Sequence, residues 1–238
     1  FRKYRISLLE IGEKMMDFKL DEVYRLIHEL QPQALIGSNH HLAPNSGEDF
    51  QMFEKDLPGK STKSFATSEN DIGNLPLEVC ETINGSWGFN LKDRKHKSKK
   101  ELIQYLIKSA GYGSNLLLNV GPMPNGRIQK EHINSLKEIG VWIKNNGETI
   151  YKTKKGPIDP SDEIASTQKG NKIFIHILDS NKETFFIENF NLKIKKISYY
   201  KSTEKVNYIK NKSGLVLKVP NDKKTPIDTI LELEIYNF

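Results

Sequence analysis

Groups able to do chemistry crowd between residues 39 and 59: Asn39-His40-His41, then Gly47-Glu48-Asp49-Phe50-Gln51-Met52-Phe53-Glu54-Lys55-Asp56-Leu57-Pro58-Gly59. A carboxyl lined by Phe50, Met52 and Phe53 would lose hydration, which disfavours its charged form and raises its pKa, as a general acid requires near neutral pH. Glu48 and Glu54 are the two candidates; the competing reading is that both are solvated loop charges. Two histidines can bind a metal or hydrogen-bond a polyol. On an extended chain adjacent side chains point apart, and no third ligand stands at helical spacing from His40 and His41. The pair therefore reads as polar contacts for a hydroxylated ligand, and neither metal nor cofactor is expected. Trp87, in Asn84-Gly85-Ser86-Trp87-Gly88-Phe89, has a ring that either stacks on the apolar C–H face of a sugar or fills a core.

The elements that must position these groups are clearest around Asn115-Leu-Leu-Leu-Asn-Val-Gly-Pro-Met-Pro-Asn-Gly126. Leu116, Leu117, Leu118 and Val120 form the continuous apolar run of a strand buried on both faces, and Gly121 to Gly126 stop it at once. Apolar residues at Ile133, Leu136, Ile139 and Ile143 then predict a helix from Ile128 to Asn146 that packs back over the sheet and ends at Gly147. A second helix is predicted over Ser98–Ala110, closed by Gly111. This αβα alternation implies a parallel α/β domain, barrel or open sheet, in which loops at the C-terminal ends of strands carry the chemistry.

Earlier in the chain, Asp21–Leu30 predicts a helix with Val23, Leu26, Ile27 and Leu30 on one face. Ala34–Asn39 follows as a short buried strand, and a weak strand signal lies at Ile6–Ile11. Residues 40 to 74 show no sustained period, which in a compact domain points to functional loops. Pro76–Ile83 alternates as a strand, with Leu77 and Val79 on one face and Glu78 and Cys80 on the other. Lys152–Asp162, with Gly156, Pro157 and Pro160, reads as a linker. Beyond it, short alternating runs at Lys172–Leu178, Thr184–Glu188, Lys193–Tyr200, Gly214–Val219 and Thr229–Tyr236 predict a small antiparallel sandwich. The expected organisation is thus residues 1–151 as an α/β domain, 152–162 as a linker and 163–238 as a β-sandwich.

The 238 residues carry a formal charge of +6, but the lysines are dispersed, with one cluster at Lys92–Lys100 that reads as a solvated approach to a helix. Such dispersal does not make a phosphate footprint, and no nucleic-acid partner is expected. No run is long and apolar enough for a membrane-spanning helix, so no membrane partner is expected. The single cysteine, Cys80, excludes an internal disulfide framework. The chain starts on Phe1 with no signal-peptide pattern, and it is expected to be part of a longer protein.

Several stretches together resemble the α-L-fucosidases of glycoside hydrolase family 29. They are Tyr24-Arg-Leu-Ile-His-Glu-Leu-Gln-Pro32, Gly47–Gly59, Leu75-Pro-Leu-Glu-Val-Cys-Glu-Thr-Ile-Asn84 with Ser86-Trp87-Gly88, Asn115–Gly126 and Gly147-Glu-Thr-Ile-Tyr151. The resemblance implies a retaining exo-glycosidase that releases terminal L-fucose from fucosylated glycans, built as a TIM-like (β/α) barrel followed by a β-sandwich. This chain would hold the C-terminal part of that barrel. It further implies Glu54 as the acid/base, with Glu48 the alternative, and His40, His41, Trp87 and Asn39 as sugar contacts. Gly121 is a weaker candidate. The family's nucleophile motif would fall at Ser7–Glu13, where Gly12 matches the motif glycine but Ile11 stands in the position of the aspartate. The nucleophile and the early barrel strands are therefore expected to be missing and the isolated chain inactive. The alternative is a non-catalytic fucose-binding or pseudoenzyme module. Location and oligomeric state stay open, with the periplasm or secretion expected for a longer protein.

Overall fold

Parallel pairing begins at Gly37, where a Cβ would lie 2.3 Å from the ring of Phe50, so glycine leaves the room that this ring occupies. The computed structural model describes residues 19–39, 43–60 and 72–236. The weak strand expected at Ile6–Ile11, with Gly12, lies outside them. Two compact units are found: the chain up to Glu81 with Ser114–Leu118, and Thr82–Gly113 with Asn119 onward.

In the first unit, helix α1 (Leu20–Leu30) precedes a sheet of order β1-β2-β3-β4, formed by Gly37–Ser38, Phe50–Glu54, Leu77–Thr82 and Ser114–Asn119. β1 and β3 each pair with β2 in parallel, with Gly37 opposite Phe50 and Glu54 opposite Cys80. Strand β2 was not expected from the sequence. Its burial alternates, Gln51 and Phe53 inward, while its hydropathy does not. Gln51 can be buried because its side-chain oxygen accepts the Gly73 N–H at 3.1 Å. Among the described residues the sheet is open, with no closed barrel.

Burial in this unit departs in places from the hydropathy pattern. The apolar stripe of α1 is not buried: Val23, Leu26 and Leu30 are 44, 50 and 76% exposed, and Tyr24 is the buried residue. Leu117 is 46% exposed, so β4, at the end of the sheet among the described residues, is covered less fully than its apolar run implied. Strand β3 is buried on both faces from Val79 to Thr82. A clasp between elements also emerges. Asp49 Oδ2 accepts the Ile36 N–H at 2.7 Å and pairs with His28 Nε2 at 2.9 Å, and these bonds hold its carboxyl below the usual range.

The second unit comprises α2 (Lys99–Gly111), α3 (Lys130–Asn146), a 3-10 turn (Gly147–Thr149) and eight strands, β5 to β12. α2 starts on a capping box in which Ser98 Oγ accepts the Glu101 N–H and the Glu101 carboxylate accepts the Ser98 N–H. α3 buries His132, Ile139 and Trp142, while Ile133 and Leu136 stay more than a third exposed, so its inward stripe is rotated from the expected one. With β5 at Lys154–Lys155, β6 at Ile164–Lys169, β7 at Lys172–Ile177, β8 at Thr184–Glu188, β9 at Ile194–Tyr199, β10 at Asn207–Asn211, β11 at Gly214–Lys218 and β12 at Thr229–Ile235, the strands form two antiparallel sheets, β5-β6-β7-β12-β9 and β10-β11-β8. Their facing side chains make one core that includes Ile173, Ile175, Leu231 and Leu233 from the first sheet and Phe185, Leu215 and Leu217 from the second. The expected sandwich is therefore present, with β6 (Ile164–Lys169) and β10 (Asn207–Asn211) added to the strands read from the sequence. The linker stretch contributes β5 (Lys154–Lys155), paired with β6.

Tyr200 gives this unit a measurable pH response. Its hydroxyl donates to Glu148, and burial together with that carboxylate pushes its pKa up to about 12. The unfolded chain loses the same proton near pH 10. The folded state holds more protons between those values, so stability falls as pH rises through that window. Tyr200→Phe is expected to flatten this part of a urea-midpoint curve, and an unchanged slope counts against the assignment. Among the described residues, no helix is long and apolar enough to cross a membrane.

Candidate active site

Glu54 is the last residue of β2, and the chain turns immediately after it. Lys55 adopts a left-handed conformation at φ 57°, with its N–H donating to the Cys80 carbonyl at 2.8 Å. This fixes the strand end from which the half-buried Glu54 side chain projects. Asn39, one residue beyond β1, donates from Nδ2 to Glu54 Oε2 at 2.6 Å. Neighbouring parallel strands thus bring a carboxyl and an amide together at their C-terminal ends. In α/β sheets that edge is where ligands are handled.

Glu48 has a different setting. It is 6% exposed and accepts from the Asn45 N–H at 3.0 Å, from Asn45 Nδ2 at 3.2 Å and from the Tyr24 hydroxyl at 3.4 Å. Its carboxylate closes the turn through Gly47, whose φ of +88° suits glycine. That is loop architecture, with the side chain turned into its own segment. His40 and His41 lie outside the described residues.

In the second unit, the loop after β3 carries Trp87, 37% exposed. Its placement is over-determined. Asn119 Nδ2 donates to the Trp87 carbonyl at 2.7 Å, and Asp93 Oδ2 accepts the Ser86 N–H at 2.7 Å. Hydrogen bonds from Ser86 and its neighbours hold the Asp93 carboxyl below its ordinary value. Lys97 Nζ donates to the carbonyls of Thr82 at 2.6 Å and Asn84 at 3.3 Å. The basic run is therefore not wholly a solvated approach, since Asp93 and Lys97 are spent on the Trp87 turn. Asp93 is the one acid within Lys92–Lys100, an irregularity in the sequence that marks it.

The loops after β3 and β4 meet at Gly121, where a Cβ would lie 2.6 Å from Gly88 C and 2.7 Å from Phe89 N. Gly121 thus acts through packing. Gly121→Ala is expected to push the Trp87 loop away, because backbone atoms cannot yield as a flexible side chain can. Iodide quenching of tryptophan fluorescence reads this directly, since Trp142 is only 8% exposed. Quenching identical to the parent protein refutes the packing role.

Beside this turn, a cavity of about 450 Å³ is lined by residues including Phe89, Asn90, Arg94, Met123, Gln129 and Glu131. Apolar surface interleaved with donors and acceptors is the lining a hydroxylated ring uses. His96, also on its wall, meets His132 edge to face at 5.4 Å. Burial, and then His96, lowers the pKa of His132 below the ordinary imidazole value.

A family model described as alpha-L-fucosidase matches residues 10–148. The human plasma alpha-L-fucosidase is 37% identical over 79 residues, 32% of this chain and 17% of its own length. The Branchiostoma floridae alpha-L-fucosidase is 32% identical over 108 residues, 43% of this chain and 24% of its own. Among solved structures, alpha-L-fucosidase isoenzyme 1 from Paenibacillus thiaminolyticus superposes with a TM-score of 0.72 at 28% identity, covering 92% of this chain and 54% of that one. The Thermotoga maritima alpha-fucosidase gives 0.67 at 25% identity, with 90% and 48% covered. This chain therefore spans about half the length of these solved relatives. With the match running through both the Glu54 strand and the Trp87 loop, the chain belongs to the α-L-fucosidase family.

Proposed function

We propose that this chain carries the acid/base portion of a retaining α-L-fucosidase, acting on terminal L-fucose of glycans. Supporting this reading above all is the position of Glu54, half-buried at the C-terminal end of a parallel strand, oriented by Asn39 and inside the span matched by the family model. Residues 1–151 then belong to a TIM-like barrel of which β1 to β4 are part, 152–162 link it to the sandwich, and 163–238 form that sandwich.

In this mechanism a second carboxylate attacks the anomeric carbon while protonated Glu54 gives its proton to the glycosidic oxygen, releasing the glycan. Ionised Glu54 then takes a proton from water, which attacks the fucosyl-enzyme and returns the configuration to its original sense. Retention sets the two carboxyls about 5–5.5 Å apart. Asn39 holds the Glu54 carboxyl in one orientation through both half-reactions. Trp87 offers its ring to the sugar, and His40 and His41 are the proposed hydroxyl contacts.

The test joins this chain, from Phe1, behind the segment of the Paenibacillus thiaminolyticus relative that precedes the matched region. Hydrolysis of 4-nitrophenyl α-L-fucoside with retention is expected, read by product NMR. A folded fusion that binds L-fucose but produces no nitrophenol refutes the catalytic reading.

A further inference from the structure

The sandwich presents a second surface suited to sugars, separate in its residues from the candidate active site. In β8 (Thr184–Glu188) alternate residues are buried: Phe185 and Ile187 enter the core, leaving Thr184, Phe186 and Glu188 on the outer face. The antiparallel register carries this face across the sheet. Phe186 lies opposite Val216 of β11 (Gly214–Lys218), and Val216 opposite Ile209 of β10. A single apolar row therefore crosses all three strands, about 10 Å at ordinary strand spacing. Phe186 is 52% exposed and Ile209 58%.

Polar rows border it on both sides. One is Thr184, Lys218 and Asn207; the other is Glu188, Gly214 and Asn211. Among the described residues, the side chains of Thr184, Glu188, Asn207 and Lys218 make no hydrogen bond or ion pair, so donors and acceptors of both signs stand ready beside an exposed aromatic ring. Gly214, in the middle of its row, is buried and carries no side chain, since a Cβ there would lie 2.1 Å from the Ile187 carbonyl oxygen.

We propose that this face is a saccharide-binding platform, in which the apolar face of a neutral pyranose lies on Phe186 and its hydroxyls reach the flanking polar rows. Size decides against a protein partner. A stable protein interface uses roughly 20–30 residues a side, whereas this apolar row has three side chains enclosed by polar ones. Charge argues against a second copy pairing along the β10 edge, because Lys210 and Lys212 there would meet their own kind.

The inference does not depend on Glu54 or on hydrolysis, so its test is binding alone. The full chain is applied to a glycan microarray spanning mammalian, plant and algal oligosaccharides, and hits are titrated by calorimetry. Binding to at least one neutral glycan is expected, weakened at least ~10-fold by Phe186→Ala and by Ile209→Asp, and kept by Phe186→Trp. Thermal unfolding of each variant separates lost binding from lost fold. The proposal is overturned if no glycan binds, if binding survives both substitutions in folded protein, or if Phe186→Ala instead turns a dimer into a monomer.

Discussion

Glu54→Gln is expected to slow fucoside hydrolysis by about 10²–10⁴-fold in the active fusion, the range that a positioned general acid/base contributes. The substitution keeps the shape of the side chain and its hydrogen bond with Asn39, so folding is not the cause of the loss. Leaving-group chemistry supplies the specific signature. A dinitrophenyl fucoside needs little protonation of its departing oxygen, so its first step is expected to survive better than that of an alkyl fucoside. Equal losses on both substrates, or no loss at all, would remove Glu54 from the role. Glu48→Gln makes the contrast, because Glu48 serves the Asn45 turn and Tyr24. It is expected to lower the melting temperature while leaving the leaving-group dependence unchanged.

Asp228→Ala is expected to cost the sandwich about 3–5 kcal/mol, measured by urea denaturation, because it strands one member of a buried pair. His176 Nδ1 and Asp228 Oδ2 are 2.9 Å apart with both side chains 0% exposed. His176 sits opposite Ala165 and Ile230, on the face of the sheet away from the sandwich core. A His176→Leu/Asp228→Leu double variant is expected to recover most of the loss, since replacing both members leaves no orphaned polar group. A single-variant loss under ~1 kcal/mol contradicts this account.

The parts of the fold legible in sequence were those where burial follows hydropathy. The helix at Lys99–Gly111 has an apolar stripe and a capping serine, and strands such as Lys172–Ile177 and Thr229–Ile235 alternate cleanly. Strand β2 and strand β6 escaped notice because polar residues are buried in them. Ser166 is satisfied by the Ile158 backbone and Thr167 by the Thr149 carbonyl, partners distant enough in sequence that no local pattern reveals them. The exposed stripe on α1 is the converse case, since periodicity shows that a helix has an apolar face but not what covers it.

For the candidate site, the sequence displays the residue types but only part of their placement. Reading Glu54 as a loop residue missed that a strand delivers it, and with it the amide of Asn39. Trp87 was open between stacking and core, and the residues that fix its loop, Asn119, Asp93, Lys97 and Gly121, act through backbone atoms that composition does not display.

Gln104 of α2 donates from a single amide nitrogen to two carbonyls of the sandwich, Leu178 at 2.9 Å and Ile227 at 2.8 Å, while Gly111 at the other end of the helix lies close against Pro160. A helix that precedes the sandwich in sequence is thereby riveted to it. Amide protons of α2 are expected to exchange with deuterium in the same cooperative step as those of β6 and β7. A protease cut placed after Asn146 would then leave the helix associated with the strands.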